Sequence, residues 1–302
     1  VGSLVIYYNK DMFDEKGVPY PQKGWTWQDF QDTVEQLSYE QDGATYYGWS
    51  QAAGWNGAYA RVVNFMRRNG YLEWDQEVEP KTALWDHEDV ISALQFCLYD
   101  TISNGWSPGP ELISGGGVGV DSGRAAMVLE GPWFMPRLWG ELATLAAETE
   151  GINYDVAEPP IGDVDRNYIF GHVHGHCITA DAVEPDGGWE LIKYILSDPG
   201  QEIIANGGRM CGLPDNIDKI WGPIASEKYN FSNIDAFSNG MREGATPVIL
   251  AEGGTFSAYG GGPLSSLWDV LLGLQQTADE AVPAANIEIQ AALDDYWSGR
   301  DG

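Results

Sequence analysis

Residues 4–13 read LVIYYNKDMF. Leu4 to Tyr8 form an unbroken apolar and aromatic run containing the β-branched pair Val5 and Ile6, which predicts a buried strand. No turn or cap precedes it, so the chain is expected to continue upstream. Beyond a loop at residues 17–23, Thr26 is followed three residues later by Asp29, a capping box, and Trp27, Phe30, Val34 and Leu37 then recur at helical spacing. A second helix is expected after Trp55, with Tyr59, Val62, Val63 and Met66 on one stripe. A third starts near Asp86 and turns Val90, Leu94, Cys97 and Leu98 inward. Gly70 and Gly105 are placed to stop them.

The same reading continues along the chain. Residues 125–129 (AAMVL) form a short strand entering the turn Glu130-Gly131-Pro132-Trp133, and residues 154–157 form another that ends at Pro159-Pro160. Residues 168–179 are strand-like throughout. Trp189 to Leu196 is helical, and Asp198-Pro199 opens a fresh helix that runs to Asn206-Gly207-Gly208. Ile289, Ala292, Leu293, Tyr296 and Trp297 mark a final helix docked by one face. Strands alternating with helices predict an α/β architecture.

The 302 residues suffice for two domains, and 45 acidic against 16 basic residues give a net charge of -29. That surface repels nucleic acid. It suits a salt-rich habitat, where self-repulsion is screened, or an acidic secreted protein. Three separated cysteines, Cys97, Cys177 and Cys211, suggest neither a disulfide framework nor a cysteine zinc site. No apolar run is long enough to span a bilayer. Residues 115–119 (GGGVG) lack the Lys-Ser/Thr of a phosphate loop, and the turn at Trp133 lacks the serine of a nucleophile elbow, so no cofactor is expected; a catalytic carboxylate pair stays open among the 45 acids, with no motif to single one out.

Two chemistries remain. His172, His174 and His176 alternate along the strand-like stretch GHVHGHC, where next-but-one Cα atoms lie about 6.6 Å apart, close enough for imidazoles to converge on a metal. A metal-binding protein or metal-dependent enzyme is therefore the alternative reading. Against it stand thirteen tryptophans, several in glycine-rich loops where a helix cannot bury them. Trp55 beside Asn56, Trp133, and Tyr259 are of this kind, and exposed rings bury the CH faces of sugars as any apolar surface does. Arg209 follows a helix C-terminus, where a cation is favoured for local reasons as well as for ligand contact.

The ordered series of segments resembles the extracellular solute-binding proteins of sugar ABC importers, the group that includes maltose-binding protein. LVIYYNKDMF with WTWQDF at 25–30, GRAAMVLEGPW at 123–133 and GWELIKYILSDPGQ at 188–201 carry the resemblance. It implies an α/β fold of two lobes hinged about a ligand cleft, with the early part of the first lobe absent from this chain. Residues 1–171 and 246–302 are then the second lobe, and 172–245 the remnant of the first with crossover strands. It also implies a non-enzymatic protein that captures a sugar or oligosaccharide and passes it to the permease subunits, as an extracellular or periplasmic monomer anchored through an N-terminal lipoprotein signal. Carried over by position, Trp133 stacks on sugar, Trp55 and Asn56 line the cleft, and His174 beside Gly175 bonds a hydroxyl. Tyr259 and Arg209 complete the expected ligand-binding set, with no metal.

Overall fold

A computed structural model describes residues 2–50, 58–68, 70–77, 79–114, 119, 122–138, 153–162, 170–172, 175–243, 246–247 and 262–299. Its strands are β1 (Gly2–Ser3), β2 (Val5–Asn9), β3 (Tyr39–Gln41), β4 (Ala44–Tyr46), β5 (Met127–Glu130), β6 (Tyr154–Ala157), β7 (Phe170–His172) and β8 (Thr246–Pro247). The helices before β5 are α1 (Lys10–Lys16), α2 (Trp27–Gln36), α3 (Ala58–Arg68), α4 (Glu88–Leu94), α5 (Thr101–Ser103) and α6 (Pro110–Ser114). After it come α7 (Met135–Leu138), α8 (Pro185–Leu196), α9 (Asp198–Asn206), α10 (Pro214–Asn216), α11 (Gly222–Tyr229), α12 (Asp235–Glu243), α13 (Gly262–Leu272) and α14 (Ala278–Ser298).

The sheet β5-β2-β6 is antiparallel, with Ile6 opposite both Leu129 and Ala157. Successive side chains of a strand point to opposite faces. Leu4, Ile6 and Tyr8 therefore enter one core with Met127, Leu129 and the helices α2, α3, α4, α13 and α14. Val5 and Tyr7 enter a second core with Val128, Tyr154, Val156 and residues from Ala205 to Phe237. Tyr7 meets Phe134, Phe231 and Phe237 edge-on at 5.3, 5.7 and 5.9 Å. This is why residues 4–8 show no polar alternation: both faces of β2 are covered.

Local signals act where they were expected. The Thr26–Asp29 capping box is formed in both directions, and the two hydrogen bonds from Thr26 lower the Asp29 carboxyl below its usual range. Gly70 and Gly105 take positive φ, 98° and 71°. Val90, Leu94, Cys97 and Leu98 are buried, although the helix widens into a π-helical stretch at Gln95–Asp100. Ile289 and Leu293 of α14 are buried as its spacing requires. Cys97, Cys177 and Cys211 are all free.

One expectation needs correction. Residues 168–179 do not form a continuous strand: β7 spans Phe170–His172, and residues 175–180 carry no strand structure and are exposed. The reason is pairing. Among the described residues β7 meets β1 over two pairs and β8 over two more, and residues 175–179 pair with no strand. His176 is therefore off the strand that holds His172, and the alternating geometry that placed the histidines on one face does not extend to it.

Candidate functional site

The site is built at the end of β5. Glu130 closes that strand, and Gly131 leads into a single 3-10 turn, Pro132–Phe134, with proline in its first position fixing the turn. Tyr7 from the neighbouring strand donates its hydroxyl to the Gly131 carbonyl at 2.8 Å. Burial, and then the Glu130 carboxylate, hold that phenol protonated well above its usual range. With the Trp133 ring in this position Gly131 leaves room for no Cβ, which would lie 2.2 Å from Cη2 and Cζ3 of the indole. The indole is thus folded back onto the glycine, half-buried, at the junction of the two cores.

Two charged contacts surround this ring. Trp133 Nε1 donates to Glu130 Oε2 at 2.8 Å. Glu130 Oε1 accepts from Arg61 Nη2 of α3 at 2.5 Å. Carboxylate and guanidinium are both nearly buried, which a charge tolerates only when it is paired. On the ring itself sits Arg209, its guanidinium carbon 5.9 Å from the centroid, within cation–π range. The approach of these two segments depends on Gly208. Its φ is +78°, and a Cβ there would come within 2.5 Å of Pro136, while Met210 and Cys211 anchor the following residues in the second core.

Of the six residues expected to bind ligand, the structure brings Trp133 and Arg209 together. Trp55, Asn56, His174 and Tyr259 lie outside the described residues. Among the described residues, no group of three or more His, Cys, Asp or Glu is placed to hold a metal ion. Glu130 and Arg61 were missed by the sequence reading. A signal for Glu130 was available: an acid ending the otherwise apolar strand run AAMVLE needs a buried partner. Nothing local identifies that partner, which is 69 residues away.

The family of bacterial extracellular solute-binding proteins matches residues 1–202. Among solved structures, an ABC substrate-binding protein from Listeria monocytogenes in complex with cycloalternan superposes with a TM-score of 0.75 at 16% identity, over 97% of this chain and 70% of that one. An ABC transporter solute-binding protein from Thermotoga lettingae, bound with α-D-tagatose, gives 0.72 at 17% identity over 97% and 70%. The protein UgpB from Mycobacterium tuberculosis, in complex with glycerophosphocholine, gives 0.73 at 15% identity over 100% and 70%. At such identities the likeness is one of fold. No curated protein matches the chain.

Proposed function

The chain belongs to the bacterial extracellular solute-binding proteins, and from that premise we propose that it captures a carbohydrate, a sugar or oligosaccharide, and presents it to an ABC permease. Such a protein binds and releases its solute without chemistry. The observation that carries the carbohydrate reading is the Trp133 ring, partly exposed on a turn tied to the sheet by the Tyr7 hydroxyl, with the Arg209 guanidinium beside it. An indole face buries the CH face of a sugar ring, and a guanidinium donates to its hydroxyls. Trp55, Asn56, His174 and Tyr259 are proposed to line the same cleft.

The proposed lobes follow the sequence division, residues 1–171 and 246–302 in one and 172–245 in the remnant of the other. Residues 172–245 pack unevenly on the rest of the chain. Residues from Ala205 to Phe237 lie on the central sheet, whereas α8 buries none of its residues. The extracellular or periplasmic location belongs to the family. Among the described residues, no helix is long and apolar enough to cross a membrane. A lipoprotein anchor, a monomeric state and adaptation of the acidic surface to salt are further parts of the proposal.

Calorimetric titration with cycloalternan, maltose, α-D-tagatose and glycerophosphocholine tests the ligand class. Saturable binding of at least one sugar is expected, and Trp133→Ala should weaken it about thirtyfold, the loss of one central aromatic contact. Binding of glycerophosphocholine and of none of the sugars would assign the site to a phosphodiester solute. Undiminished sugar affinity in the Trp133 variant would remove that ring from the site.

A further inference from the structure

We propose that Glu130 is a positioning residue for the Trp133 indole, with Arg61 in turn fixing Glu130. The inference rests on the carbohydrate reading of Trp133 and deepens it. Glu130 is 4% exposed and both its carboxylate oxygens are engaged within the protein, so it is not available to a ligand. Each of its carboxylate oxygens has an assigned donor: Oε1 takes the Arg61 guanidinium, and Oε2 takes the indole N–H at 2.8 Å. The Gly131 backbone N–H also approaches Oε2, at 3.4 Å.

These bonds act on the one degree of freedom that matters for stacking. The Gly131–Pro132 backbone sets where the Trp133 Cα lies, and the ring rests on Gly131. A hydrogen bond at the indole nitrogen then fixes how the ring is rotated. A stacking ring held in its bound orientation before the ligand arrives loses less rotational freedom on binding. The carboxylate itself is held from a different element, since Arg61 lies on α3. That helix follows directly in sequence from the segment bearing Trp55 and Asn56, so the ion pair ties it to the turn bearing Trp133.

The amide of Glu130→Gln is isosteric but has one acceptor atom where two donors converge, so either the indole or the guanidinium is left facing an N–H. Cycloalternan affinity should fall about tenfold in this variant, the worth of a charge-assisted hydrogen bond. In a Trp133→Phe background, which keeps a ring and removes its N–H, the same change should alter affinity less than about twofold. An equal loss in both backgrounds would mean that Glu130 serves only the fold, and would overturn the proposal.

A second measurement needs neither a folded Glu130 variant nor a bound sugar. In the ¹⁵N spectrum of the unaltered protein, the Trp133 indole N–H is identified by its loss in Trp133→Phe. It should exchange with solvent more slowly than a free indole. Exchange at the free rate would overturn the positioning role, whereas slow exchange without sugar binding would overturn only the carbohydrate reading.

Discussion

Helices α2 and α8 are of similar length, yet the more polar α2 seals its apolar residues in a core and the more apolar α8 stands open. Phe30 of α2 is 1% exposed and lies within 5.2 to 6.0 Å of the rings of Trp25, Trp27, Trp49, Phe65 and Phe96. On α8, Trp189, Leu191 and Tyr194 are each more than half exposed, and no residue of the helix is buried. The difference lies in how the apolar residues are distributed. In α2 they form one stripe and the other face is polar, so a single core satisfies the helix. In α8, Trp189, Leu191, Ile192, Tyr194 and Leu196 surround the axis, a pattern that requires cover on several sides. Spacing alone predicts that a helix forms; its burial depends on what the rest of the molecule supplies.

The largest effect that can break this comparison is in the core. Phe30→Ala should lower unfolding free energy by about 3–5 kcal/mol, as expected for a large ring removed from close packing. Tyr194→Ala on α8 should change it by less than about 0.5 kcal/mol. Urea denaturation of the two variants measures both, and comparable losses would show that α8 is packed after all.

A smaller effect sharpens the comparison at the helix ends. Thr26→Ala removes the side-chain half of a capping box, leaving the bond from the residue-26 backbone N–H to Asp29, and should cost about 1 kcal/mol. Glu184→Ala, at the start of α8 where no side chain caps the helix, should cost no more than a few tenths. The Thr26 variant has a second readout in pH. Asp29 is held below its unfolded pKa by its bonds to Thr26, so its stabilisation is present above that unfolded value of about 3.9 and is lost as the pH falls through the folded value. Thr26→Ala should therefore flatten part of the acid-side decline. An unchanged pH profile would mean that the Thr26 backbone N–H, which alanine keeps, holds the Asp29 carboxylate without help from the hydroxyl.

What could be read from the sequence follows the reach of each interaction. The capping box, the glycine stops at Gly70 and Gly105, the proline in the first turn of α9 and the docked stripe of α14 are all local, and each is present in the structure. β2 was recognised because Leu4 to Tyr8, all buried, leave a continuous apolar signal. The length of β7 was overestimated because strand ends are set by partners elsewhere in the chain. At the site, Trp133 was visible from its turn and Arg209 from its loop. Their contact depends on the close approach of Gly208 to Pro136, which no local pattern encodes. The Arg61–Glu130 pair was missed because, although Glu130 ends an apolar run, nothing near it in sequence points to a partner 69 residues away.

The most direct test is a crystal structure of the protein with whichever sugar binds best by calorimetry. The expected result is a sugar ring lying face-on against the Trp133 indole, with the Arg209 guanidinium within hydrogen-bonding distance of a hydroxyl. A sugar seated elsewhere, with the Trp133 ring bare, would contradict it.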